Sequence, residues 1–221
     1  MENSLSVAIP VYNAERYLRD AIQSVIDQGH PRLEIIVIDD GSTDGSRVVA
    51  ESFGNVQYFQ QENRGIAAAR NAGVEQAQGE LLAFLDADDL WTDQKLHWQL
   101  AALQQHPEAH IVAGGIEQFY ESDRPRLMQD NPAGDAYTAG AMLIRHADFL
   151  RVGKFDERLR VGEFIDWHSR ARSLGLREIC LPDIVLRRRI HNTNTTLKQQ
   201  HTRDDYVSVI RAHLHRQRRA A

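Results

Sequence analysis

Cysteine is almost missing: Cys180 is the only one in 221 residues, so the chain can form no internal disulfide and no cysteine-built zinc site. Aromatic residues are sparse at 7%, and no stretch approaches the roughly 18 apolar residues of a membrane span. Neither a G-x-x-x-x-G-K-[ST] loop nor a G-x-G-x-x-G after the first apolar run is present. The glycines with which NTPases and dinucleotide dehydrogenases cradle phosphate are therefore absent. There is no G-x-S-x-G nucleophile elbow. Met1-Glu2-Asn3-Ser4 lacks the basic and long apolar segments of a secretory signal, and with the lone cysteine this gives the expectation of a reducing, cytoplasmic setting.

What remains is ordinary for a globular chain: 42% apolar and 26% charged residues, at a length suited to one compact domain. The net charge of −5 hides a polarity. Residues 1–120 carry 18 acids against 7 Lys and Arg (−11), and residues 121–221 carry 13 against 19 (+6). An acidic first half argues against nucleic acid as a partner and suits cation chemistry. The Arg-rich second half either faces an anion, such as a diphosphate or a membrane surface, or is a solvated surface.

The apolar pattern alternates strand and helix through the first half. Strands are expected at Leu5–Val11, Leu33–Ile38, Val56–Phe59, Leu81–Leu85 and His110–Val112, with helices at about 15–27, 43–53, 66–77 and 93–104. Such alternation predicts an α/β fold with a mostly parallel sheet covered on both faces. After Gly114 the pattern loosens into a polar loop at 121–135, then a strand at 137–144, helices at 147–152 and 165–174, and a strand at 184–189. Residues 204–219 place Tyr206, Val207, Ile210 and Leu214 at helical spacing against Arg203, Arg211, Arg216, Arg218 and Arg219. That tail either packs as a terminal helix or lies peripherally on an anionic membrane.

Ligands of open parallel sheets sit beyond the carboxyl ends of the strands. Three segments follow strands there: Pro10-Val11-Tyr12-Asn13, Asp39-Asp40-Gly41-Ser42-Thr43-Asp44 and Asp86-Ala87-Asp88-Asp89. Carboxylates crowded after an apolar strand repel one another unless something compensates, and a divalent cation is the simplest compensation. Oxygen donors select manganese or magnesium over zinc. For Asp89 and Thr92 the alternative is capping of the following helix. Asp40, Ser42, Asp44, Gly45 and Glu51 also fit EF-hand spacing, but the β-branched run Leu33–Ile38 in front of them is a strand, not the required helix.

Four segments in order carry a family likeness: Ala8–Asn13, Ile38–Asp44, Asn63–Asn71 and Phe84–Asp89. Weaker likeness continues through Gly140–Arg145, Gly153–Glu157 and Arg189–Asn194. Together they resemble the inverting family 2 glycosyltransferases of the GT-A fold, a single Rossmann-like domain. The resemblance implies transfer of a sugar from a nucleotide diphosphate donor, a UDP-sugar foremost and of hexose or N-acetylhexosamine type. The acceptor would be a glycan, lipid-linked, peptide or small-molecule hydroxyl. Residues 1–115 would be the donor half and 116–221 the acceptor half. It further implies that Pro10 and Tyr12 border the nucleobase beside Asn13, that Asp40 hydrogen-bonds the base, and that Arg64 lies near the nucleotide. Asp86 would face the ribose or a metal-bound water, Asp88 would ligate the metal bridging the two phosphates, and His191 would be a further ligand or diphosphate contact.

Inversion also needs a carboxylate to accept the acceptor's proton. The family usually places it as the Asp of a Glu-Asp pair opening a late helix. In Val161-Gly162-Glu163-Phe164-Ile165-Asp166-Trp167 that position is Phe164. Glu163 and Asp166, one helical turn apart, are the catalytic candidates; Trp167 either stacks on a sugar or is buried. Arg187 and Arg189 should share a strand face and are candidates to grip phosphate.

Overall fold

A computed structural model of the chain describes residues 3–120 and 138–191. One eight-stranded sheet runs through it in the order β3-β2-β1-β4-β7-β6-β8-β5. The first half follows the sequence closely: β1 (Leu5–Val11), α1 (Leu18–Ile26), β2 (Leu33–Asp39), α2 (Ser46–Glu51), β3 (Val56–Gln60), α3 (Ile66–Gln76) and β4 (Leu81–Phe84). These four strands are all parallel. Then come β5 (Leu90–Trp91), α4 (Lys95–Gln105), β6 (Ile111–Tyr120), a 3-10 turn (Ala139–Ala141), β7 (Met142–Arg145), α5 (His146–Val152), α6 (Glu163–Ser173) and β8 (Glu178–Ile190). Here the pairing is mixed: β7 is antiparallel to β4 and β6, and β5 to β8, while β6 and β8 are parallel.

Alternation along β1 sets the two layers. Leu5, Val7, Ile9 and Val11 pack with α1 and α4 through Leu18, Ile22, Leu96 and Leu103. Ala8 faces the other way, into a cluster with Phe84, Phe149, Phe155, Phe164 and Trp167. The Phe149 and Trp167 rings stack at 4.8 Å and fix α6 against α5. On that face α3 lies so close to β1 that a Cβ at Gly73 would sit 2.7 Å from that of Ala8.

The late strands differ from expectation. The strand expected at 110–112 continues to Tyr120, with register irregularities around Gly115 where β6 meets β8. The described part of the strand expected at 137–144 is a 3-10 turn followed by the short β7, and Gly140 in that turn lies close to Leu186. The two-residue β5 is too short for periodicity to reveal. The loop at 121–135 and the tail at 204–219 lie outside the described residues. Among the described residues no helix is long and apolar enough to cross a membrane.

Candidate functional site

The sheet changes direction at β1, since β2 and β3 lie on one side of it and β4 on the other. Pro10 marks where the two sides part. The Ala8 carbonyl accepts from Leu85 N–H at 3.2 Å, so Pro10, two residues on, faces the same neighbour. The β1–β4 ladder stops at Ala8 and Phe84, and the N–H that proline lacks would have no strand to meet. This is the topological switch point, where the ligand cleft of such sheets lies.

The loops rimming the cleft are tied to one another. Asn13 adopts a left-handed conformation (φ 51°), which asparagine tolerates. Its N–H donates to Ser42 Oγ at 2.9 Å and its Oδ1 accepts from Thr43 N–H at 2.8 Å. Buried Asp39 accepts from Ser42 N–H and the Tyr58 hydroxyl, both at 2.7 Å. Burial and that carboxylate raise the Tyr58 phenol above its ordinary value. Asp40, 4% exposed, accepts from the N–H groups of Arg64 and Gly65 at 2.9 and 2.8 Å and from Gln61 Nε2 at 2.7 Å. Asp40 thereby shapes the turn into α3. Tyr12 projects from the rim, 56% exposed. The exposed Arg64 side chain pairs with Glu157 at 2.6 Å.

Behind these loops lies a buried ion triad. Arg70 on α3 is 2% exposed; its Nη2 donates to Asp86 Oδ1 at 2.6 Å and its Nη1 to Glu163 Oε1. Burial opposes the guanidinium charge, but Asp86 and Glu163 outweigh it and push the group above its ordinary value. Beside the triad, His191 Nε2 meets Asp88 Oδ2 at 2.9 Å. Burial and the charge of Asp86 raise the Asp88 carboxyl, while His191 pulls the other way. Asp89 is pushed up to about 8 by burial and by the charges of Asp86 and Asp88.

The arrangement suits a divalent cation in one respect and limits it in another. Asp88 and His191 are oxygen and nitrogen donors already in contact, and Asp88 is half-buried beside Asp86, whose like charge a cation would offset. Among the described residues no three His, Cys, Asp or Glu side chains converge as a metal cluster, so the other positions would fall to donor phosphate and water.

The two catalytic candidates separate. Glu163 joins Asp86 through Arg70. Asp166 instead accepts from Arg170 Nε at 2.9 Å, and Arg170 also donates to the carbonyls of Val152 and Lys154. Each acid is engaged by a different arginine. Phe164 and Trp167 are both buried at 6% and 0% exposure, ring planes within 14°, so Trp167 belongs to the core. Asp89 and Thr92 do not cap α4: Asp89 accepts from Arg189 N–H and Thr92 donates to the Ile184 carbonyl. Arg187 and Arg189 do share a face, both lying over Phe119.

Sequence reasoning passed over Arg70 and Asp39 as site residues. For Arg70 a signal existed, an arginine inside the apolar face of an alanine-rich helix, where an unpaired charge would be costly.

The sequence model described as "Glycosyl transferase family 2" matches residues 6–178. The chain belongs to this family. It is 41% identical over 115 residues to the putative teichuronic acid biosynthesis glycosyltransferase TuaG of Bacillus subtilis, covering 50% of this chain and 46% of that one. It is 36% identical over 141 residues to glycosyltransferase GlyA of Streptococcus pneumoniae, covering 62% of this chain and 20% of that one. The chain thus spans less than half the length of these curated relatives. Among solved structures, S. aureus TarS 1–349 in complex with UDP-GlcNAc superposes with a TM-score of 0.80 at 22% identity, over 96% of this chain and 66% of that one. Mannosyltransferase PcManGT from Pyrobaculum calidifontis, in complex with GDP-Man and Mn2+, gives 0.74 at 22%, over 96% and 65%. The family's GT-A fold is therefore the fold of this chain.

Proposed function

We propose that this glycosyltransferase transfers a sugar from a nucleoside diphosphate donor, a UDP-sugar of hexose or N-acetylhexosamine type, to an acceptor hydroxyl with inversion and with a divalent cation. One observation carries the reading: His191, from beyond the end of β8, meets Asp88 at 2.9 Å at the switch-point cleft, next to Asp86 and the triad. The bound molecules named for TarS and PcManGT, a UDP-sugar and a GDP-sugar with Mn2+, support the donor class and the cation.

In this reading Pro10, Tyr12, Asn13, Asp40 and Arg64 border the nucleoside, Asp40 chiefly by holding the 63–65 turn. Residues up to about 115 form the donor half and the remainder the acceptor half. Asp88 and His191 would hold manganese or magnesium, which when bound stabilises the charge gathering on the departing diphosphate. Asp86 faces the ribose and is oriented by Arg70. Glu163 is the favoured proton acceptor: Arg70 takes its Oε1, and Oε2 carries no hydrogen bond among the described residues. Asp166, engaged by Arg170, is the weaker candidate. A cytoplasmic protein that touches an anionic membrane through its basic tail would suit a lipid-linked acceptor.

A second reading, a sugar-nucleotide binder without efficient transfer, is favoured by one feature: the ring of Phe164 lies in the core where the family has its catalytic carboxylate. Isotope-labelled UDP- and GDP-sugars separate the two. A transferase releases nucleoside diphosphate, by transfer or slow hydrolysis, in a metal-dependent way; a binder saturates and releases none.

A further inference from the structure

Tyr17, the residue before α1, plays no part in the donor reading, yet its ring supports the end of β8. Arg189 on β8 and His191, the residue after its end, both reach that ring. The His191 ring lies against Tyr17 with centroids 4.6 Å apart and a 30° tilt. The Arg189 guanidinium lies 5.0 Å from the same ring and 4.8 Å from that of Phe119. It is also committed to the acidic loop. Arg189 Nε donates to the Asp88 carbonyl at 3.0 Å, its backbone N–H to Asp89 Oδ1 at 2.9 Å, and its Nη2 reaches Asp20 Oδ2 at 3.4 Å. The loop that carries Asp88 and the strand end that carries His191 are therefore fastened to each other and to one ring. His191 itself lies one residue past β8, where the sheet ladder does not fix it.

We infer that Tyr17 and Arg189 are positioning residues that preset the Asp88–His191 pair for a divalent cation carrying a nucleoside diphosphate. Arg189 is thereby assigned to the acidic loop and not to phosphate. The inference rests on the proposed role of Asp88 and His191. A contact that locks a ligand's ring orientation spares the ordering cost when the ion arrives, and its loss typically weakens metal binding about 10- to 100-fold.

The test compares Tyr17→Phe with Tyr17→Leu. Both lack the hydroxyl and both are apolar, but only phenylalanine keeps the flat ring. Mn2+ is titrated into the full chain with UDP or GDP present, and free Mn2+ is read from its electron paramagnetic resonance signal. Tyr17→Phe should bind within about twofold of wild type and Tyr17→Leu about tenfold more weakly. Arg189→Met, which keeps bulk and loses the guanidinium, should move in the same direction. Equal affinity of the Phe and Leu variants overturns the inference while leaving the donor reading intact. A wild-type chain that takes up no Mn2+ with either nucleotide, or an Asp88→Ala variant that binds as wild type does, overturns both.

Discussion

Asp86 and Glu163 grip the same guanidinium. The arginine between them, Arg70, is 2% exposed, and its removal leaves two carboxylates without their shared counter-charge. Arg70→Met should cost about 3 kcal/mol in denaturant unfolding, at the low end for a broken buried pair because the Asp86 side chain keeps 27% exposure. Arg70→Lys should not restore stability, since one ammonium cannot serve both carboxylates with a planar fork. A Lys variant as stable as wild type would sink this account of the triad.

Placing an acid back at position 164 should fail. The Phe164 side chain packs in the cluster with Trp167 and Phe149, so Phe164→Asp loses core packing worth about 3–5 kcal/mol and buries a carboxylate. Thermal melting should drop sharply and donor turnover should not rise. A stable, faster Phe164→Asp enzyme would show that the side chain reaches the cleft.

Much of this site was legible in the sequence, and the limits are physical. The rim acids follow strands whose apolar runs are unbroken, so Asp40, Asp86 and Asp88 fall at the cleft by chain direction alone. His191 carried a weak local signal. It gains meaning only because β8 pairs with both β6 and β5, a long-range arrangement that periodicity cannot express. The separation of Glu163 from Asp166 likewise depends on which arginine each meets. Strand β6 runs on past the loosening at Gly114, because Gly114 and Gly115 allow the close approach of Val185 and Asp183.

Lys95 offers a test away from the site. It is fully buried on α4, 4.8 Å from the Trp91 ring centre, and its Nζ has no hydrogen-bond partner among the described residues. Burial holds its amine well below the ordinary value. The cost of the charge is full below the folded-state pKa, shrinks as pH rises above it, and vanishes above about 10.5. Lys95→Met should therefore stabilise the protein by about 1–3 kcal/mol near neutral pH, with the gain shrinking toward pH 10.5. Unfolding measured across that range checks it; a destabilised variant would mean that the contact with Trp91 outweighs desolvation.

Asp89 should show the opposite pH dependence. Its carboxyl is raised to about 8, so the penalty for ionising it in the fold is absent below about 3.8, grows as pH rises and is complete above about 8. In metal-free buffer, Asp89→Asn should match wild type near pH 4 and melt higher above pH 8. A gap that does not change with pH would contradict this.

The central claim is that Asp88 binds a nucleoside diphosphate through a divalent cation, and melting of the purified chain with UDP or GDP, with and without Mn2+, tests it most directly. Ligand that binds only the folded state raises the melting temperature. The account predicts a rise with one nucleotide that requires Mn2+ and disappears in Asp88→Ala; a rise of equal size without Mn2+, or one that survives in that variant, would contradict it.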